Sequence, residues 1–159
     1  MAETLTRNRI VQAASELFYA EGIRAVSVDA VAGRAGVTKK TLYYHFRSKD
    51  DLVEAYLAAR DNPNLAAFAR WFDRAEGAIP DRVGAVFLAI GRQARSKSWK
   101  GCGFLRTAAE LANMPGHPAI KIAAAHKKRV EGWFAACLAD AGLADADLLG
   151  RQLRLLMDG

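Results

Sequence analysis

The sequence predicts an all-α protein in which a three-helix helix-turn-helix module precedes a larger helical domain. Three observations predict this class. Apolar residues recur at helical spacing along most of the 159-residue chain, and capping residues or glycines interrupt the pattern at intervals. No segment alternates apolar and polar residues as a half-buried strand does. We place the first domain at residues 1–48 and the second at residues 49–159.

The composition indicates an intracellular protein that favours polyanionic partners. Lys and Arg number 23 against 17 acids, which gives a formal net charge of +6. The two cysteines, Cys102 and Cys137, form no CxxC pair, so we expect neither a disulfide framework nor a metal site. The N-terminus lacks the apolar core of a signal peptide, and no run of about 18 apolar residues occurs. We therefore expect a soluble, cytoplasmic chain without a membrane partner, and nothing in the sequence suggests a cofactor.

Two helices are expected in the first third of the chain. The first covers residues 6–21, where one face is apolar at i, i+3, i+4 spacing, and Gly22 ends it. Ser27 is a favourable N-cap for a short second helix, which ends at Gly36. We assign both glycines to structure, because glycine relieves the positive backbone angle of a turn.

The third helix is short, basic and aromatic. Thr38 caps the segment KKTLYYHF, in which Leu42 and Phe46 lie four residues apart on one face and hold the helix on the core. Two short helices joined by a tight glycine turn, behind a longer helix, predict a helix-turn-helix at residues 27–46. The third helix would then enter a DNA major groove, about 12 Å wide, with residues 38–44 near the base edges. The residues left on its outer arc are Lys39, Lys40, Thr41, Tyr43, Tyr44 and His45.

A fourth helix is expected after Ser48, which forms a predicted capping box with Asp51. Lys49 lies in the first turn of this helix, where the helix dipole favours an acid instead. A phosphate partner explains this lysine, because the unpaired N–H groups at the starts of the second, third and fourth helices also favour anions.

Several elements fall in register across residues 5–60: Leu17-Phe18, Gly22, Ser27, Val31-Ala32, Ala35-Gly36-Val37, Thr41 to Phe46, and Lys49 followed by Leu52. Together they resemble the N-terminal domain of the TetR family of bacterial transcriptional regulators. In this family the domain binds operator DNA as part of a dimer, and a larger helical domain receives a small inducer. The resemblance implies DNA contacts by Ser27, Thr38, Lys39, Thr41, Tyr43, Tyr44, His45 and Lys49.

Some of these residues have a structural interpretation as well. Tyr43 can brace the edge of the core with its ring, or contact a phosphate through its hydroxyl, or do both. His45 can be a solvated surface histidine. Lys40 departs from the small residue or proline that the family often has at this position, so its role stays open.

Beyond residue 60 the pattern predicts further helices. Asn62 and Pro63 indicate that the fourth helix ends or kinks, and a new helix is expected to run to Gly77. Later helices are expected from Asp81, over residues 104–113, from Pro118 to Gly142 with His117 as the cap, and after Asp145 as the cap of the last helix.

Two segments of the second domain, WKGCGFLRTAAE and HPAIKIAAAHKKRVEGW, are similar to the ligand domain of a TetR subgroup that carries Gly-Cys-x-Phe-Leu and a later His-Pro. A pocket between helices needs large or adaptable side chains, although such residues are also common in any core. The large side chains of these segments and of the neighbouring helices favour an apolar or aromatic inducer, and Arg106 or His126 could bind a polar group at one end of that molecule. The candidate ligand contacts are Trp71, Phe72, Phe87, Trp99, Cys102, Phe104, Met114, His126, Trp133 and Phe134.

The C-terminal helix predicts a homodimer. In TetR regulators the last two helices form a four-helix interface between two copies, whereas this chain stops at LRLLMDG within an apolar pattern. We expect that the second domain is truncated, which leaves leucines such as Leu148 and Leu155 partly uncovered for a partner.

The function predicted from these features is that of a sequence-specific repressor released from its operator by a small-molecule inducer. The alternative is a regulator that senses redox state through the thiol of Cys102. An enzyme that uses Cys102 with His117 or His126 and Glu110 lacks a nucleophile elbow or a metal cluster, and Cys102 has no evident helix N-terminus to activate it. An architectural DNA binder would not need the second domain.

Overall fold

The structure is a computed structural model, and it describes residues 2–159. These residues form α-helices and no strand, which confirms the all-α class. None of these helices is both long and apolar enough to cross a membrane. The helices are α1 (Ala2–Glu21), α2 (Val28–Ala35), α3 (Lys39–His45), α4 (Lys49–Asp73), α5 (Ile79–Ala94), α6 (Gly103–Glu110), α7 (Pro118–Asp140) and α8 (Ala146–Asp158).

The chain divides into two compact units that alternate along the sequence. The first unit contains the residues up to Arg60 together with Gly103–Ala123, and the second contains Asp61–Cys102 and Ala124–Gly159. Helices α4 and α7 therefore contribute residues to both units. The functional division between residues 48 and 49 stays a prediction.

The core of the first unit lies against α1. Ile10, Ala14 and Phe18 of α1 are buried at the four-residue spacing of one helix face, as the sequence predicts. The ring of Phe18 makes an edge-to-face contact with Tyr56 of α4, with ring centroids 5.6 Å apart. Helix α2 ends at Gly36, whose φ of 64° lies in the left-handed region that glycine adopts without a Cβ clash. The predicted turn between α2 and α3 is thus confirmed.

The core of the second unit is largely aromatic. Phe68 and Phe72 of α4, Val86 of α5 and Phe134 of α7 are buried in a single cluster. Helix α8 reaches α7 through Gly150, where an added Cβ would lie 2.8 Å from the backbone nitrogen of Ala135 and from the carbonyl oxygen of Glu131. Only glycine permits this approach, so the two helices pack backbone to backbone at this point.

The predicted end of α4 and the predicted start of α5 differ from the structure. Helix α4 does not end at Pro63 but continues to Asp73, so the predicted end is wrong. Proline inside a helix costs about 3 kcal/mol, and the buried side chains of Leu57 before it and Phe68 after it offset that cost. Helix α5 begins at Ile79, two residues before Asp81. Asp81 acts from inside the first turn instead, because its carboxylate accepts the N–H of Ala78 at 3.0 Å.

The remaining helix starts follow the sequence more closely. Helix α7 begins at Pro118, and the ring of His117 caps it as predicted. Helix α8 begins directly after Asp145, so the predicted position of the cap is confirmed. The predicted capping hydrogen bond is wrong, because Asp145 has a φ of 56° and its side chain makes no such bond. A capping residue normally has an extended backbone, and the left-handed conformation of Asp145 departs from that geometry. Helix α6 begins at Gly103, one residue before the predicted start, so Cys102 directly precedes a helix N-terminus, and the expectation that it has none beside it is wrong.

Candidate nucleic-acid interface

Helix α3 is held on the first unit by one buried side and exposes the other. Leu42 is 0% exposed and Phe46, at the C-cap of the helix, is 3% exposed. The guanidinium of Arg7 lies 4.9 Å from the centroid of the Phe46 ring and covers it from α1. On the opposite side Tyr44 is 73% exposed. The predicted burial of Leu42 and Phe46 against the core is therefore confirmed, and Tyr43 and Tyr44 are exposed.

The residues predicted to contact DNA lie at helix starts or on α3. Ser27 and Thr38 precede α2 and α3, and Lys49 is the first residue of α4. Ser27 and Thr38 are exposed, whereas Lys49 is half-buried. The others lie on α3, where Lys39, Tyr43 and Tyr44 are exposed and Thr41 and His45 are half-buried. All eight belong to the first unit, and their contact with DNA stays a prediction.

Side-chain hydroxyls cap these helices as expected. The Oγ of Ser27 accepts the N–H of Ala30 at 3.0 Å, and the Oγ1 of Thr38 accepts the N–H of Thr41 at 3.1 Å. The hydroxyls of Thr38 and Thr41 also lie within hydrogen-bond distance, at 2.9 Å. A seven-residue helix has few hydrogen bonds of its own, so its cap contributes a large part of its local stability.

The capping box at the start of α4 forms in a changed register. The Oγ of Ser48 accepts the N–H of Asp51 at 3.0 Å, as predicted. The carboxylate of Asp51, however, accepts the N–H of Arg47 at 3.2 Å rather than that of Ser48, and it also accepts from the Arg47 guanidinium at 3.0 Å. These hydrogen bonds lower the pKa of Asp51 and hold Arg47 against the start of α4.

The two lysines predicted to contact DNA, Lys39 and Lys49, have different electrostatic environments. Lys39 forms an exposed ion pair with Asp29 of α2 at 3.0 Å, and hydrogen bonding to that carboxylate raises the lysine pKa. Lys49 is half-buried, and burial lowers its pKa against the opposing charges of Asp50 and Glu110.

Three further cations contact or flank α2 and α3 and were missed by sequence reasoning. The Arg9 guanidinium donates to the carbonyl oxygen of Ala35 at 2.5 Å, which holds the end of α2. Arg7 and Arg47 line a groove of about 390 Å³ beside His45, at the C-terminal end of α3. Arg47 follows Phe46 directly, and that position alone could have suggested it. Arg7 and Arg9 lie more than 25 positions before Phe46 and Ala35, the residues that they contact, so local patterns give no signal for them.

The candidate ligand residues are distributed over both units. In the second unit the Trp133 and Phe134 rings lie 4.6 Å apart between centroids, and Phe87 stacks on Phe134 at 6.3 Å. Trp71 and Phe72 belong to the same cluster, and Trp99 and Cys102 lie in the loop between α5 and α6. Phe104 and Met114 belong to the first unit. The role of these residues in ligand binding stays a prediction.

The two histidines that follow α6 have structural partners. His126 is buried in the second unit with its Nδ1 2.6 Å from Oδ1 of Asp61, and Arg129 pairs with the same carboxylate. Burial lowers the pKa of His126 to about 4, so the neutral ring donates its Nδ1–H to Asp61 near pH 7. His117 caps α7 and contacts Asp50 in the first unit.

Comparison with known proteins gives the family. The family model described as bacterial regulatory proteins, tetR family, matches residues 10–56. The HTH-type transcriptional regulator SrpR of Pseudomonas putida is 43% identical over 58 residues, which are 36% of this chain and 27% of SrpR. UidR of Escherichia coli K12, another HTH-type transcriptional regulator, is 36% identical over 63 residues, which are 40% of this chain and 32% of UidR. The chain thus matches about a third or less of the length of these two curated relatives.

Solved structures extend the match beyond the helix-turn-helix. Escherichia coli NemR in its reduced form shares the fold with a TM-score of 0.85 at 18% identity, over 97% of this chain and 83% of NemR. SCO4454, a TetR-family transcriptional regulator from Streptomyces coelicolor, superposes with a TM-score of 0.84 at 36% identity, over 100% of this chain and 82% of that chain. The chain therefore belongs to the TetR family of DNA-binding transcriptional regulators, which are not enzymes.

Proposed function

We propose that this protein is a repressor that binds its operator as a homodimer and leaves it when an apolar or aromatic small molecule binds the second unit. The observation that carries the DNA-binding part is the seating of α3. Leu42 and Phe46 fix the helix on the core, so Lys39, Tyr43 and Tyr44 stay exposed for a duplex. A single helix of this kind fits a major groove, and its N-terminal residues reach the base edges.

The contacts divide by chemistry into two groups. Thr41, Tyr44 and the residues at the N-terminal end of α3 read bases, because they lie on the recognition helix and are exposed or half-buried. Lys49 and the capped amide ends of α2, α3 and α4 bind phosphates, because unpaired N–H groups and the helix dipole favour anions. Phosphate contacts fix the register of the protein on the duplex, and base contacts specify the sequence.

Helix α8 supports the homodimer. Gly150 packs on α7, whereas Leu148, Leu155 and Leu156 are 54%, 53% and 70% exposed. Exposed leucines on one helix are a surface that a second copy can bury under two-fold symmetry. Two recognition helices in such a dimer would enter successive major grooves about 34 to 36 Å apart.

The aromatic cluster of the second unit supports an apolar or aromatic inducer. Phe72 belongs both to this cluster and to α4, the helix whose first residue is Lys49. A ligand that rearranges the cluster would move α4 and displace Lys49 from its phosphate. Release requires that the ligand binds the displaced conformation more tightly than the DNA-bound one.

Selection from a random-sequence duplex library, followed by fluorescence anisotropy, tests the proposal. We expect an enriched two-fold symmetric site, bound at least about 1000-fold more tightly than unrelated duplex. Thr41→Ala should relax the preference at one base position of each half-site. A panel of neutral aromatic compounds should contain members that weaken binding to the site. Affinity that is equal for all duplexes would contradict the proposal and indicate an architectural DNA binder.

A further inference from the structure

The cap of α7 has an unusual composition. Helix N-caps are normally Ser, Thr, Asp or Asn, whose short side chains reach the first amides. Here the cap is His117, whose Nδ1 accepts the N–H of Ala119 at 3.1 Å. The side chain is only 3% exposed, so a bulky aromatic ring is buried where a smaller residue would cap the helix equally well. The second ring nitrogen, Nε2, is therefore also largely buried and requires a hydrogen-bond partner.

That second nitrogen contacts α4. Because Nδ1 accepts a hydrogen bond, the proton of the neutral ring lies on Nε2. Nε2 is 3.2 Å from Oδ1 of Asp50, and it donates to this carboxylate. Asp50 itself is 56% exposed, so the buried ring supplies a fixed donor to an acid that lies largely in solvent. One imidazole thus connects the first turn of α7 to the first turn of α4.

The same corner of the first unit contacts the other side of the helix-turn-helix. Glu110, the last residue of α6, accepts the backbone N–H of Arg24 at 3.1 Å in the loop between α1 and α2. Glu110 and Asp50 both raise the pKa of Lys49 against the effect of burial, so both carboxylates act on this ammonium. Contacts from residues 110 and 117 therefore reach both the loop before α2 and the helix after α3.

We infer that His117 is a positioning residue for operator binding, which holds Asp50 and through it keeps Lys49 and the first amides of α4 in place for a DNA phosphate. The inference rests on the proposed phosphate contact at the start of α4. A charged group held in one geometry binds with less loss of side-chain freedom than a mobile one. Without the hydrogen bond to His117, the first turn of α4 would keep its charge but lose its fixed position.

The test compares two variants that remove the same charge. Asp50→Asn retains an oxygen that can accept the Nε2–H of His117, whereas Asp50→Ala has no acceptor. We expect Asp50→Ala to bind the selected operator about three- to tenfold more weakly than Asp50→Asn, which is the effect of one hydrogen bond. Asp50→Ala also leaves the buried Nε2–H of His117 without an acceptor, so we expect it to melt at a lower temperature than Asp50→Asn. The two affinities are therefore compared at a temperature at which thermal melts show both variants to be folded.

A second variant removes the hydrogen bond from the other side. In His117→Asn the side-chain oxygen can still accept the N–H of Ala119, but the amide is too short to reach Asp50. We expect a loss of operator affinity similar to that of Asp50→Ala. The double variant His117→Asn/Asp50→Ala should bind no more weakly than Asp50→Ala alone, because both changes break one connection.

Three results would overturn the inference: equal affinities of Asp50→Asn and Asp50→Ala, wild-type affinity of His117→Asn, or additive losses in the double variant. Nitrogen chemical shifts of the His117 ring provide an independent check, since a proton on Nδ1 would exclude the cap geometry. Failure of the proposed function itself has a different signature. In that case the wild-type protein would select no duplex, and the inference would fall with it.

Discussion

Replacement of Leu42 by alanine tests whether α3 is positioned by its buried side. Leu42 is 0% exposed and is the one fully buried residue among the seven of α3. Leucine-to-alanine changes at such sites remove transfer free energy and leave a cavity, at a combined cost of about 2–5 kcal/mol. We expect a value in the upper half of this range, because Phe46 alone would then hold the helix.

The expected loss is measurable and has a matched control. For a chain of 159 residues, each kcal/mol corresponds to about 2–4 °C in Tm, so Leu42→Ala should lower the Tm by about 7–20 °C. Tyr44, two residues further along the same helix, is 73% exposed, and Tyr44→Ala should change the free energy of unfolding by less than about 0.5 kcal/mol. Both variants should bind operator DNA more weakly than the wild-type protein does.

Urea melts followed by circular dichroism give the two free energies, and fluorescence anisotropy gives the two affinities. The reasoning would be refuted if Leu42→Ala cost less than about 1 kcal/mol, because α3 would then not depend on this seat. It would also be refuted if Tyr44→Ala retained wild-type affinity, because the exposed face of α3 would then not contact DNA.

Three other changes test separate parts of the description. Lys49→Ala should weaken binding to all duplexes alike and reduce the slope of log K against log salt by about 0.9, whereas Lys97→Ala in the exposed loop after α5 should leave the slope unchanged. Thr38→Ala should destabilise the protein by about 1 kcal/mol, and Thr38→Ser, which keeps the cap hydroxyl, should restore most of that loss. The pKa of His126 falls from 6.5 to about 4 on folding, so the unfolded chain binds the proton first. Stability should therefore be complete above pH 6.5 and decline by up to about 3 kcal/mol as the pH falls to 4. His126→Asn, whose amide can still donate to Asp61, should remove this decline in urea melts across that pH range.

Local features of the candidate interface could be predicted from the sequence because their partners are close along the chain. The caps at Ser27 and Thr38 each bind an amide three residues later, and the seat of α3 depends on the four-residue spacing of Leu42 and Phe46. The break expected at Pro63 was wrong because what continues the helix there is not local in sequence. A proline is a local signal, whereas the burial that carries α4 through it comes from side chains on both sides of the interruption.

The sequence by itself determined which segments are helical, where most of them begin and which face of α3 is apolar, since these properties depend on periodicity and capping within a few residues. Only the tertiary structure decided which distant groups hold the interface: Arg9 on the carbonyl of Ala35, Glu110 on the amide of Arg24, and His117 on Asp50. Each of these contacts joins residues at least 26 positions apart. Helical periodicity fixes the face on which a side chain lies, but packing of the helices decides which side chain of another helix it meets.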